Sequence, residues 1–333
     1  MPITECAYGN GQKGSNAHMY PITSPTGEQI QVPEYGAEDV MAFSRDSRKA
    51  VLEFFHQNGF ALVRNLIPEE YCKRIQSSFN SEIKPRTGLL PRINGHDEIN
   101  RFNENGFLIN SLMNVQRKAI RGISTYTADV LAVLTHQHLK TMLEGFFHDG
   151  IGLMTWNHIE SNPVTKPHCD AHFWTKDISV GDIVGVWIAL ETIHPGAGRL
   201  YVYPHSHEMD MRQLLAPQSD PNKAEERERE SMVPLNVLSE TYQQSIVNLI
   251  KSKGWSCTAP SLQAGDVLLW DARTIHGSLP TTTPQFSRSS LTSHFTAIRF
   301  IKKRNRRTRI NGIGVAFPRF SLQTIKGLFS SIK

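Results

Sequence analysis

Apolar residues fall into two textures along the chain. In the first half they recur every three or four positions, the spacing of one helix face. The stretch SRKAVLEFFHQNG reads as a helix with Val51, Phe54 and Phe55 on one side and Gly59 as its stop. FALVRNLI then reads as a strand, and PEEYCKRIQSSF as a helix with Pro68 in its first turn. TYTADVLAVLTHQHLKTMLEGFF predicts one longer helix, with Val130 and Leu134 on its apolar face, and Gly150 ends this helical half. From Ile151 the pattern shortens. IGLMTWNHIE, DIVGVWIAL, GRLYVYP, GDVLLW and SSLTSHFTAIRF are short apolar runs between turn residues, the signature of a barrel or sandwich. The predicted class is α+β, a helical N-terminal half packed on an antiparallel β-barrel.

Three segments stand outside this pattern. Residues 1–40 are rich in Gly, Pro, Ser and Thr without a period and read as a lead-in arm. Residues 208–256 read as an insertion between strands. They hold PNKAEERERESM, a charged run expected to be a solvated helix or loop, and the helical LSETYQQSIVNLIKSKG. Residues 301–333 form a basic C-terminal tail, which leaves 41–300 as a single domain.

Composition narrows the class. A chain of 333 residues with 39% hydrophobic and 20% charged residues can bury a sizeable core and is not a disordered polymer. No run approaches the roughly 20 apolar residues of a membrane span. The N-terminus lacks a basic start followed by an apolar core, so no secretory leader is expected. Cys6, Cys72, Cys169 and Cys257 are scattered without a CxxC pair, which makes a reducing cytoplasm the expected compartment. The formal charge of +5 is local: KKRNRRTR at 302–309 holds six basic residues, and without them the total is −1. A near-neutral body with one basic run argues against a nucleic-acid-binding protein, whose charge spreads over a face.

The chemistry centres on KPHCDAHFW, residues 166–174. One His-x-Asp triplet is unsurprising in a chain with 14 histidines, so alone it is weak, and a polar strand is the bland reading. On a strand, however, residues two apart share a face, so His168 and Asp170 would enter one barrel mouth. An imidazole and a carboxylate are two of the three ligands of a facial triad, which leaves open positions on Fe(II). AGDVLLWDARTIHGSLP offers a distant third ligand, His276, and Arg288 follows at the start of another strand. An arginine beside a metal suits a dicarboxylate, because its planar fork can bind a carboxylate through two hydrogen bonds.

Taken together, these segments resemble the phytanoyl-CoA dioxygenase family of Fe(II)/2-oxoglutarate oxygenases. FFHQNGFALVRNLIPEEYCKRI is similar to its N-terminal helix-strand-helix signature, and KPHCDAHFW to its first metal segment. VGVWIALETIHPGAGRLYVYPHSH is similar to the strand and Gly-rich turn that follow. LQAGDVLLWDARTIHGSLP with Arg288 is similar to the second metal and cosubstrate segment. The resemblance covers about residues 50–300. It implies a double-stranded β-helix of jelly-roll, cupin-like form. It implies Fe(II) held by His168, Asp170 and His276, and O2 and 2-oxoglutarate as cosubstrates. Arg288 would pair with the distal carboxylate of 2-oxoglutarate and Ser278 would add a hydrogen bond, with Trp187 and Asn157 lining the pocket. The implied reaction hydroxylates an aliphatic carbon of a small-molecule or lipid-linked substrate and releases succinate and CO2. Desaturation or ring closure are alternative outcomes of the same iron. A carboxylate at Asp170 argues against halogenation, since related halogenases carry a small residue there. Two departures stand out: the family usually has Gly at the place of His205, and the insertion at 208–256 is long.

Neighbouring residues have plainer readings. His172 would face the same way as Asp170 if the strand continued, and with Trp174 it is a candidate for substrate contact. Cys169 should face away, His205 and His207 read as turn histidines, and His294 reads as a histidine packed in the core or supporting a ligand from behind. In the tail, Leu322, Ile325, Leu328, Phe329 and Ile332 fall on one helical stripe behind the basic run. That pattern admits contact with an anionic membrane surface. Packing on the barrel or another subunit is favoured, because Gly327 weakens the helix. A metal-free barrel that only binds a ligand is the remaining alternative to an enzyme.

Overall fold

The computed structural model describes residues 18–34, 42–118, 120–174, 182–210, 240–301 and 306–317. Within the expected arm, β1 (Met19–Thr23) and β2 (Gln29–Pro33) pair as a hairpin. Ile22 and Val32 of that hairpin bury beside Tyr201 and Tyr203. After β3 (Ala42–Ser44) comes α1 (Arg48–Asn58), which stops at Gly59 as expected. The reason is backbone geometry: Gly59 has φ 80°, a left-handed conformation, and its N–H caps the carbonyl of Phe55. The strand β4 (Phe60–Arg64) and α2 (Glu69–Ser78, with Pro68 as N-cap) follow in the predicted places. Short strands β5 (Leu90–Pro91), β6 (Asp97–Glu98) and β7 (Leu112–Met113) come next.

The single long helix expected over 125–147 is two: α3 (Ser124–Leu134) and α4 (Gln137–Leu143). His136 breaks it by leaving the helical conformation and accepting the His138 N–H at its own Nδ1, an N-cap that starts a new helix. The remaining elements are β8 (Ile151–Ile159), the short α5 (Ala171–Trp174), β9 (Ile183–Ala189), β10 (Leu200–Val202) and α6 (Glu240–Lys253). Then come β11 (Val267–Asp271), β12 (His276–Ser278), β13 (Ser290–Ala297), β14 (Arg306–Ile310) and β15 (Ile313–Phe317).

The large sheet runs β14-β15-β8-β13-β9-β11-β4-β3, with β7 also on β8. It is mixed: β15 pairs with β8 and β3 with β4 in parallel, the others antiparallel. Period-two alternation gives the sheet two faces. Ala61, Val63, Val186, Ile188, Val267, Leu269, Leu291 and Phe295 pack with α1 to α4 in one core. Phe60, Leu62, Trp187, Leu268 and Trp270 point the other way and meet Leu200 and Val202 of a second sheet. On β8 the alternation slips at a bulge opposite His294/Phe295, so Leu153 and Trp156 both face the helices while Asn157 and Ile159 face inward.

The second sheet is small. β10 and β12 pair antiparallel, extended by single bridges from His168 to His276 and from Val202 to Thr258. Two sheets therefore face each other as in a cupin-like fold, but among the described residues they do not close into the expected barrel. The large sheet also runs past residue 300. Ile310, Ile313 and Val315, from the segment read as a tail, are part of the main core. The charged run at 221–232 and the amphipathic stripe at 322–332 lie outside the described residues.

Candidate active site

His168 and His276 are brought together by backbone pairing. Each donates its N–H to the other's carbonyl, at 3.0 and 2.9 Å, a hydrogen-bonded antiparallel pair. Their rings sit 4.3 Å apart. Asp170 follows two residues later in a turn leading into α5. The segment is thus a one-residue bridge rather than the expected strand, yet it places both side chains on one side. Asp170 Oδ1 is 3.7 Å from His168 Nε2, and Oδ2 is 3.6 Å from His276 Nε2. Ligand atoms of the three residues all lie within 4.8 Å of one another, and all three residues are buried.

The donor chemistry fits a divalent metal. His168 Nδ1 lies 2.9 Å from the Lys166 carbonyl and His276 Nδ1 2.9 Å from the Thr274 carbonyl. A carbonyl only accepts, so Nδ1 carries the proton in each ring and the Nε2 lone pair is left for a metal. Burial is the main force on both imidazoles. It pushes His168 down to about 3 and lowers His276 as well, so both are neutral near pH 7. For Asp170, burial alone would raise the carboxyl, but His294, His276 and His168 around it outweigh that and hold it low. Two neutral imidazoles and an ionised carboxylate are the protonation states a metal requires.

Asp170 is itself fixed. Trp270 Nε1 donates to Oδ2 at 2.8 Å and His294 Nε2 donates to the same oxygen at 2.9 Å. Of the two readings of His294, packed in the core or supporting a ligand from behind, this contact agrees with the second. The Trp270 indole reaches Asp170 because Gly185 lies beneath it. A Cβ on Gly185 would sit 2.0 Å from the indole. Sheet register explains the arrangement: His294 pairs with Gly185, and Gly185 with Trp270, in one row across β13, β9 and β11.

The row next to it holds the expected cosubstrate residues. Asn157, Thr292 and Trp187 lie side by side across β8, β13 and β9. They line a cavity of about 220 Å³ together with the three candidate ligands, Ser278 and Arg288. His276 and Ser278 are two apart on β12 and so present to the same cavity. Ser278 Oγ accepts the Thr165 N–H at 2.7 Å, which leaves its own hydrogen to donate. Arg288 is 2% exposed and forms no ion pair among the described residues. Nη1 donates to the Gly198 carbonyl at 3.0 Å and Nε is buried without a partner. Burial lowers its pKa to about 10, still charged at neutral pH. Asn157 Oδ1 is likewise buried and unpartnered. A buried cation that meets no anion among the described residues suits an anionic guest, while the orphaned amide oxygen calls for a hydrogen-bond donor.

Of the two expected substrate contacts, His172 is not among the residues lining the cavity. The chain turns into α5 after Asp170, so the alternation that would aim His172 into the cavity is lost, and its ring packs 4.4 Å from Tyr242 instead. The side chain of Trp174 lies outside the described residues. The outer wall of the cavity comes from segments that carried no motif: Arg92, Ile93 and Asn94 after β5, Ile109 to Ser111 before β7, and Pro163 to Thr165. His205, at the position where the family resemblance implies Gly, adopts a left-handed φ of 64°, held by Nδ1 to the Gln57 carbonyl at 3.1 Å.

Comparison with known proteins places this geometry. A family model described as phytanoyl-CoA dioxygenase matches residues 55–290. Among solved structures, the α-ketoglutarate-dependent carbocyclase SnoK of nogalamycin biosynthesis aligns with 13% identity over 78% of this chain and 88% of its own, at a TM-score of 0.51. The epimerase SnoN from the same pathway aligns with 15% identity over 80% of this chain and 87% of that one, at a TM-score of 0.50. SnoN is also known in complex with Fe3+ and α-ketoglutarate. EctD from S. alaskensis, solved with 2-oxoglutarate and 5-hydroxyectoine, aligns with 15% identity over 87% of this chain and 86% of that chain, at a TM-score of 0.50. Such identities speak for a shared fold. A search of curated proteins finds no matching sequence. No helix among the described residues is long and apolar enough to cross a membrane.

Proposed function

Because this chain belongs to the phytanoyl-CoA dioxygenase family of iron- and 2-oxoglutarate-dependent enzymes, we propose that His168, Asp170 and His276 hold Fe(II) and that the reaction hydroxylates an aliphatic carbon. The observation that carries this reading is the pair of Nδ1 contacts to backbone carbonyls, which turn both Nε2 atoms toward Asp170. Arg288 takes the distal carboxylate of 2-oxoglutarate, assisted by the Ser278 hydroxyl, and Asn157 and Trp187 form the floor. Iron bound there, with 2-oxoglutarate and O2, supplies the oxidising chemistry, and succinate and CO2 leave as products.

The chain's own residues supply position and dryness. Trp270 and His294 keep Asp170 oriented and ionised, Arg288 fixes one end of the cosubstrate, and the buried walls exclude water from the reacting centre. The experiment is anaerobic mixing of protein, Fe(II) and 2-oxoglutarate, read by the visible charge-transfer absorption of the chelate. The expected band is lost in His168→Ala and needs more 2-oxoglutarate in Arg288→Ala. Protein that takes up no iron and gives no band would return the site to a ligand-binding fold without catalysis.

A further inference from the structure

The cavity contains a second buried guanidinium that the cosubstrate leaves unused. Arg92 is one of the lining residues and is 1% exposed. Among the described residues no carboxylate touches it. Nε and Nη2 donate to the Glu98 carbonyl at 3.3 and 3.0 Å, Nη2 also to Asn100 Oδ1 at 2.8 Å, and Nη1 to the Asn110 carbonyl at 2.9 Å. These contacts engage four of the five N–H groups of an arginine, and the fifth is on Nη1.

Charge balance follows. Near the mouth, Arg101 pairs with the Glu98 carboxylate at 3.2 Å, and Asn94 and Asn110 also donate to that carboxylate. Arg92 is therefore the cation left over at that end. At the inner end, Arg288 and a divalent iron meet Asp170 and a dianionic 2-oxoglutarate, which is neutral in sum. One positive charge remains for the loaded site, in a wall too buried for water to screen it well. The same lining also carries Ile93, Ile109 and Ile159, an apolar contribution beside the polar groups. The whole cavity is about 220 Å³, so the part of the substrate that enters beside 2-oxoglutarate is small.

Building on the proposed function, we infer that the substrate is a small organic acid whose carboxylate is received by Arg92, with its hydrocarbon portion laid along Ile93, Ile109 and Ile159 toward the iron. Arg92 is then a specificity-determining residue, distinct from the cosubstrate arginine Arg288.

The test is anaerobic calorimetric titration of the Fe(II)- and 2-oxoglutarate-loaded protein with matched probes: hexanoate against hexanamide, and phenylacetate against phenylacetamide. Each acid is expected to bind about tenfold or more tightly than its amide, the usual worth of one charged hydrogen bond. Arg92→Gln removes that preference while the charge-transfer band keeps its half-saturating 2-oxoglutarate concentration, and Arg92→Lys restores part of it. The band in each variant reports that the protein is folded and loaded. Acids that bind no better than amides, no binding by either, or a preference that survives Arg92→Gln would each overturn the inference. Absence of the band in wild type would instead be a failure of the iron-site reading.

Discussion

His168 and His276 exchange both backbone hydrogen bonds, so main-chain pairing brings the two residues together, and their Nδ1 contacts to backbone carbonyls then orient the imidazoles. Proximity of the two candidate ligands is thus part of the fold itself. His168→Ala and His276→Ala should each leave the secondary structure intact and lower bound iron by more than about tenfold, with turnover at background, since metal sites fail when a ligand is removed. Metal analysis after dialysis checks this, and retention of one iron per chain would contradict the assignment.

Arg288→Gln separates cosubstrate from metal. Loss of a charged hydrogen bond of about 1.5–3 kcal/mol raises the half-saturating 2-oxoglutarate concentration roughly 10- to 150-fold, with iron content unchanged. The apo variant should unfold at the same or a higher temperature, because an unpaired buried cation is costly to hold. Equal 2-oxoglutarate dependence in both proteins would remove Arg288 from the site.

The indole of Trp270 acts through Asp170. Trp270→Phe keeps the packing but deletes one of the two donors to Oδ2, and iron affinity is expected to fall about 10- to 100-fold. Gly185→Ala pushes on the same indole and should weaken iron binding without touching any ligand. A metal titration of both variants decides whether these neighbours tune the site or merely fill space.

A fourth expectation concerns acid. His158 is buried, accepts the Tyr126 hydroxyl at Nδ1 at 2.8 Å and lies with Nε2 3.3 Å from Ser289 Oγ. Burial, with a smaller push from Lys84, lowers its pKa to about 3. The unfolded chain binds a proton there below about pH 6.5 and the folded chain does not. Stability therefore falls as pH drops from 6.5 toward 3, by about 1.4 kcal/mol per unit from this group. Buried His168 and His276 act in the same direction, so His158→Gln should lessen the pH dependence between pH 7 and pH 5 in denaturant titrations by this one group's share, and an identical slope would show that His158 does not contribute.

Much of the site was legible because its residues sit where local rules are strict. His276 and Ser278 share a strand face, Arg288 precedes a strand, and Gly59 ends a helix. What escaped was decided by tertiary contact. The strand expected through Asp170 is a single bridge, because after one pair with His276 the chain turns into α5. The long helix over 125–147 breaks at His136, whose cap outweighs a continuous apolar stripe. The wall with Arg92 and Ile109 carried no readable pattern, since very short strands and turns leave too few residues for any period to show. His205 illustrates the opposite case. Its departure from Gly is visible in sequence, but only the structure shows a histidine accepting the left-handed backbone that Gly usually supplies, at a cost of about 1–2 kcal/mol.

The basic run acquires a different meaning from its place at the sheet margin. Arg306, Arg307 and Arg309 lie on β14, the outermost strand on one side of the large sheet, while the opposite margin is β3, only three residues long. Unpaired strand edges invite another chain to add on, and closely spaced like charges or very short strands discourage it. Among the described residues, one margin of this open sheet thus carries closely spaced arginines and the other a very short strand, two features that work against edge-to-edge pairing.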